Sequence, residues 1–166
     1  MIAAIFISLV LVLLTVGLHQ SCFTLLSRKI PMGVRSTQPW LYVLMLGIFT
    51  VHFLEILLYA LGYYVAASVF DLGYLEGERA TGFLGHFYAS AVIYTSLGFG
   101  DVLPNGHLRF IVGVEALNGL LLIAWSASFL FAMMGQFWHC ISGSSNSCDT
   151  SGDAKRTEAP GTKPGP

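Results

Sequence analysis

The chain has 166 residues, of which 55% are hydrophobic and only 10% charged, and its mean hydropathy is +0.71. Soluble domains carry about 25% charged residues, so a soluble globular protein is excluded and a bilayer is implied. The net charge of −1 argues against a nucleic-acid partner, which needs a basic face. Cys22, Cys140 and Cys148 give neither an even disulfide set nor a CxxC pair.

A hydrocarbon core about 30 Å thick needs roughly 20 apolar residues as helix. Residues 1–27 predict a first transmembrane helix, with no charge from Ile2 to Leu26. A signal peptide does not fit, because a basic start is missing, the apolar run is too long and no A-x-A site follows. Residues 28–39 form a basic loop with Arg28, Lys29 and Arg35, so by the positive-inside rule it is cytoplasmic and the amino terminus lies outside. Residues 40–70 predict a second span, and the loop after it, with Asp71, Glu76, Glu78 and Arg79, faces outward. Residues 83–95 are apolar but would reach only about 20 Å as helix, too short to cross. Residues 108–139 predict a third span that returns the chain to the cytoplasm; Trp40 and Trp138 fit interfacial belts. Residues 140–166, rich in Ser, Gly, Pro and Thr, are expected to be a disordered cytoplasmic tail. The expected fold is therefore all-α and integral to the cell membrane, with three transmembrane helices and a re-entrant segment between the second and third.

The short helix runs straight into Thr95-Ser96-Leu97-Gly98-Phe99-Gly100-Asp101. Non-helical backbone at membrane depth is tolerated only where it is buried in protein or lines a water-filled path. Two glycines two apart allow positive φ, and an alternating chain of this kind can turn successive carbonyls to one side. Such a row replaces the water shell of a monovalent cation. The Ser96 hydroxyl would add an oxygen at the inner end, and Leu97 and Phe99 would pack the loop from behind. The short helix would point its partly negative C-terminal end at the ion path.

This run resembles the potassium-channel signature T-x-G-[YF]-G-D. Phe87-Tyr88-x-Ser90 precedes it at the spacing of a pore helix, and Asp101-x-x-Pro104 and Arg109 follow. The resemblance to the potassium-channel pore-domain family is strong over about 83–139 and extends to 40–139 with the outer helix; the first span lies outside it. It implies a pore helix at 83–95, a filter at 96–101 and an inner helix at 108–139. The implied K⁺ ligands are Ser96, Leu97, Gly98, Phe99 and Gly100, with Thr95 and Asp101 in support. It also implies a hinge at Gly119, ten residues after Arg109, and a cavity lined by Leu120, Ile123 and Ala127. Three positions depart from the commonest pattern: Ser96 for threonine, Leu97 for valine or isoleucine, and Phe99 for tyrosine. Phe99 removes a phenol hydrogen bond behind the filter. One pore segment cannot enclose an axis, so four chains are needed, in a closed C₄ homotetramer like the family's four-unit pore.

The remaining polar residues each admit two readings. Asp101 is either one of a ring of carboxylates concentrating cations at the mouth or a hydrogen-bonding brace of the filter loop; the family favours the brace. Asp71, Glu76 and Glu78 either add attractive field or are a solvated loop, the plainer account. His52 and Glu55 share a face about 18 to 23 Å from Trp40, near mid-membrane, where ionisable groups face protein or water. They form either a proton- or metal-sensitive site or, the reading preferred, an inter-helix network reaching the first span or pore helix. Glu115 would brace the pore helix or filter, and Asn118 would face a neighbour or the cavity. His19, His86 and His107 are scattered, with weak grounds for metal ligation. Cys140 is juxtamembrane and either acylated or, more plainly, a buried thiol. Small residues on the third span (Gly113, Gly119, Ala124, Ser126, Ala127, Ser128, Gly135) suit closely packed helices.

The expected function is passive potassium conduction, with no enzyme chemistry, no cofactor, and K⁺ as the sole metal. A weakly selective cation channel and a non-conducting scaffold are the rivals; a fragment of a four-pore uptake transporter is weaker. No arginine-ladder voltage sensor or folded regulatory domain is visible, so gating rests on the filter, the helices or an unknown regulatory partner.

Overall fold

A computed structural model of the chain describes residues 1–29, 37–77 and 82–141. Arg35, Glu78, Arg79 and the expected tail from residue 142 lie outside the described residues, as do the side chains of Trp138 and Cys140. The chain forms two compact units, Met1–Phe129 and Leu130–Pro166. The described part of the second is helical.

Four helices and two short strands follow in order: α1 Ile2–Lys29, α2 Thr37–Ser68, β1 Leu75–Glu76, α3 Gly82–Tyr94, β2 Leu103–Pro104 and α4 Leu108–Ile141. Three stretches, Ile2–Arg28, Trp40–Ser68 and Leu108–Gly135, are long and apolar enough to cross a membrane. Helix α3 has 13 residues, a length of about 20 Å.

The long helices are apolar nearly all round, so hydrophobicity alone does not choose which face packs. Lipid tails are as apolar as leucine, and small and polar residues decide the interface instead. On α1 the buried stripe is Ala4, Ser8, Leu11, Thr15, His19 and Phe23, one helical face at spacings of three and four. Ser8 and Thr15 return their hydroxyls to the carbonyls of Ala4 and Leu11, at 2.8 and 2.9 Å. On α2 the buried face carries Leu44, Val51, Glu55, Tyr59, Tyr63 and Ala66. The core of the first unit joins Ala4 and Leu11 to Tyr59, Tyr63, Ala66, Leu72, Tyr94, Leu108 and Ile111. Phe23 stacks on Phe129, with ring centroids 4.4 Å apart.

Helix α2 ends as Asp71 takes a left-handed φ of 47°, and the chain is then stitched to the segment after residue 100. Strands β1 and β2 pair antiparallel, Leu75 opposite Pro104 and Glu76 opposite Leu103. The Asn105 and His107 amides donate to the carbonyls of Tyr74 and Leu72, at 2.9 and 2.7 Å. Asn105 Nδ2 donates to Glu76 Oε2 at 2.8 Å, so Glu76, expected as a solvated charge, holds this junction. Arg109 Nε donates to the Pro104 carbonyl at 3.0 Å.

Candidate functional site

Helix α3 stops in a way that sets up the segment after it. The Ser96 amide donates to the Ile93 carbonyl and the Leu97 amide to the Val92 carbonyl, both at 2.9 Å. These two bonds, with Ser96 at φ 56°, make a Schellman cap, in which the left-handed position is usually glycine. Serine there carries the strain of a Cβ, which the two cap hydrogen bonds offset. Thr95 Oγ1 turns back to the Ala91 carbonyl at 2.7 Å.

Beyond the cap the left-handed conformation recurs at every second residue: Ser96 at 56°, Gly98 at 57° and Gly100 at 78°. Among the described non-glycine residues only Asp71 and Ser96 have positive φ, so Leu97 and Phe99 keep the ordinary sign. Backbone of alternating handedness can align successive carbonyls on one side, the arrangement a dehydrated cation requires. Within the single chain the Leu97 and Phe99 side chains are 59% and 63% exposed. Residues of the same chain therefore leave both largely uncovered. Tyr88 donates to Asp101 Oδ2 at 2.7 Å, tying the end of the loop to α3.

All four helices contribute to a set of buried polar residues. Glu115 on α4 is fully buried and accepts from Tyr63 on α2; Ser90 on α3 lies 2.5 Å from its other oxygen and 2.9 Å from the Ile56 carbonyl. Asn118 is buried within the chain. Its Nδ2 donates to Thr15 Oγ1 on α1 at 2.9 Å and to Tyr59 on α2 at 3.1 Å.

The His52–Glu55 pair is the centre of a larger cluster. Glu55 Oε1 meets His19 Nδ1 at 2.8 Å, and Oε2 meets His52 Nδ1 at 3.0 Å and accepts from Tyr94. Ser126 on α4 lies 2.9 Å from His52 Nε2 and 3.4 Å from His19 Nε2. His19 is thus corrected from a scattered residue to a fully buried member of this cluster. Sequence reasoning missed it because 36 residues separate it from Glu55; the available signal was an uncompensated histidine inside an apolar span. His86, by contrast, hydrogen-bonds within its own helix turn, Nδ1 to the Gly82 carbonyl at 2.7 Å, and meets the Tyr64 ring edge-on at 5.9 Å, and His107 lies in the exposed turn before α4. No buried side-chain nitrogen or oxygen among the described residues lacks a partner.

Glu55→Gln is expected to lower the thermal stability of the protein by about 2 kcal/mol, since hydrogen bonds to a charged acceptor are worth more than neutral ones. Thermal unfolding in detergent checks this. The K⁺/Na⁺ permeability ratio is expected to stay unchanged.

Gly119 is buried at the crossing of α4 with the end of α3, where an added Cβ would stand 2.4 Å from the Tyr94 carbonyl oxygen. The glycine expected as a hinge therefore also has a packing role. Leu120, Ile123 and Ala127 are exposed on α4, away from its buried face of Ile111, Glu115, Asn118, Leu122 and Ser126.

Comparison with known proteins returned one family, described as "Ion channel", whose model matches residues 51–136. No curated protein and no solved structure matched the chain. The matched stretch is just over half of the chain and contains most of α2, all of α3 with the 95–101 segment, and α4 to residue 136. On that match, the chain belongs to the ion channel family of the two-helix potassium-channel type.

Proposed function

We propose that this protein is a potassium-selective channel subunit that assembles as a homotetramer in the cell membrane and passes K⁺ down its gradient. The observation that carries the reading is the alternation of left-handed backbone at Ser96, Gly98 and Gly100, directly after a helix too short to span. In this reading α3 is a re-entrant pore helix, and Ser96 through Gly100 supply the carbonyl row. Four copies around an axis give the ring that replaces the ion's hydration shell. The exposed Leu97 and Phe99 and the exposed apolar face of α4 at Leu117, Leu120 and Ile123 support a neighbour on that side.

Thr95 and the Tyr88–Asp101 bond hold the two ends of the filter, and Glu115 fixes the pore helix to both α2 and α4. Leu120, Ile123 and Ala127 line the cavity below, and Gly119 serves as the inner-helix hinge. The amino terminus lies outside and the carboxyl terminus in the cytoplasm. Conduction needs no cofactor and no chemical step, and gating rests on the filter, the helices or a regulatory partner.

Purified protein in liposomes is expected to carry K⁺ flux that barium blocks, with a reversal potential in mixed K⁺ and Na⁺ that follows K⁺. A reversal potential near zero under a K⁺/Na⁺ gradient would make it a weakly selective cation channel. Absence of flux from a protein that remains tetrameric would make it a scaffold.

A further inference from the structure

We propose that His19, His52 and Glu55 form a binding site for a divalent transition metal of the zinc class, formed by α1 and α2 and set against α4. One ligand atom from each of the three lies within 4.8 Å of the other two. Two imidazoles and a carboxylate are the donor set that such ions favour. Nothing in the conduction reading uses it, and K⁺, a hard monovalent ion, would gain little from imidazole nitrogens.

The geometry is close to what a metal needs. Metal–ligand distances of about 2.0–2.2 Å in a tetrahedral site place donor atoms about 3.3–3.5 Å apart. The His19 and His52 Nδ1 atoms lie 2.8 and 3.0 Å from Oε1 and Oε2 of Glu55, and the three ligand atoms lie within 4.8 Å of one another, so an ion forms the site by small side-chain shifts that bring the two imidazoles onto the carboxylate. Three protein ligands leave a fourth position for water or a hydroxyl. The His52 side chain is 17% exposed while those of His19 and Glu55 are fully buried, so His52 is the side from which an ion enters.

The outer side of the site is also built. The Ser126 hydroxyl lies 2.9 Å from His52 Nε2 and 3.4 Å from His19 Nε2, and metal-ligating histidines are ordinarily oriented by such a partner on the other ring nitrogen.

The site would couple to the pore through Tyr94, which bonds both Glu55 and His52 and lies two residues before Ser96. The test is a titration of tag-free protein in detergent with Co²⁺, which reports tetrahedral nitrogen and oxygen ligation by its visible absorption and does not depend on conduction. About one Co²⁺ per chain is expected, displaced by Zn²⁺. The signal should be unchanged in a His86→Ala/His107→Ala double variant, which lacks the exposed imidazoles. Ser126→Ala should weaken binding about tenfold, and His52→Gln should abolish the bands. Wild-type protein that binds no Co²⁺, binding lost with His86 and His107, or bands that survive His52→Gln would each overturn the proposal. Failure of flux in liposomes with Co²⁺ binding intact would count against the channel reading alone.

Discussion

Alanine at Gly98 is expected to abolish selective K⁺ flux while leaving helix content and assembly unchanged. Gly98 has φ +57°, and nothing lies within 4 Å of where a Cβ would sit, so crowding is not the cause of the loss. The cause is the backbone: a side chain in the left-handed region costs roughly 1–2 kcal/mol per residue. In the proposed ring of four chains that penalty is paid at every copy, about 4–8 kcal/mol in all. Relaxing to negative φ turns a peptide plane and takes one carbonyl out of each row. Flux in proteoliposomes is expected to fall more than about tenfold, the change that 1.4 kcal/mol produces in a rate. Gly113→Ala is the control: it too has open space around its Cβ but ordinary helical backbone, and it should be silent. Selective flux of normal size through the Gly98→Ala protein would remove the filter from the account.

Gly119→Val is expected to be the most destabilising single change in the membrane-spanning part. Its Cβ would stand 2.4 Å from the Tyr94 carbonyl oxygen and 3.1 Å from the carbonyl carbon. Both are backbone atoms, so no rotamer change relieves the contact, and α4 must move away from the end of α3. Overpacking of this kind costs about 1–3 kcal/mol. The displacement also stretches the bonds that Glu115, Asn118 and Ser126 make from the same stretch of α4, each worth about 1 kcal/mol. The thermal midpoint in detergent should drop, and Gly119→Ala should show a smaller drop of the same sign. A pure hinge role would instead leave stability unchanged and alter only open probability.

The sequence by itself determined the spans, the short helix and the run that follows it. These signals are local: uninterrupted apolar length sets a span, and Gly98 and Gly100 mark backbone that must turn left-handed. The left-handed Ser96 was not legible, because nothing in a serine announces positive φ; it follows from the cap that closes α3. The polar residues inside the spans were visible as exceptions, but their partners were not. His19 meets Glu55 across 36 residues and Asn118 meets Thr15 across 103. In a helix apolar on every side, periodicity carries no record of which face turns inward. Only the packed structure chose that face, because each buried polar group had to find a partner away from lipid.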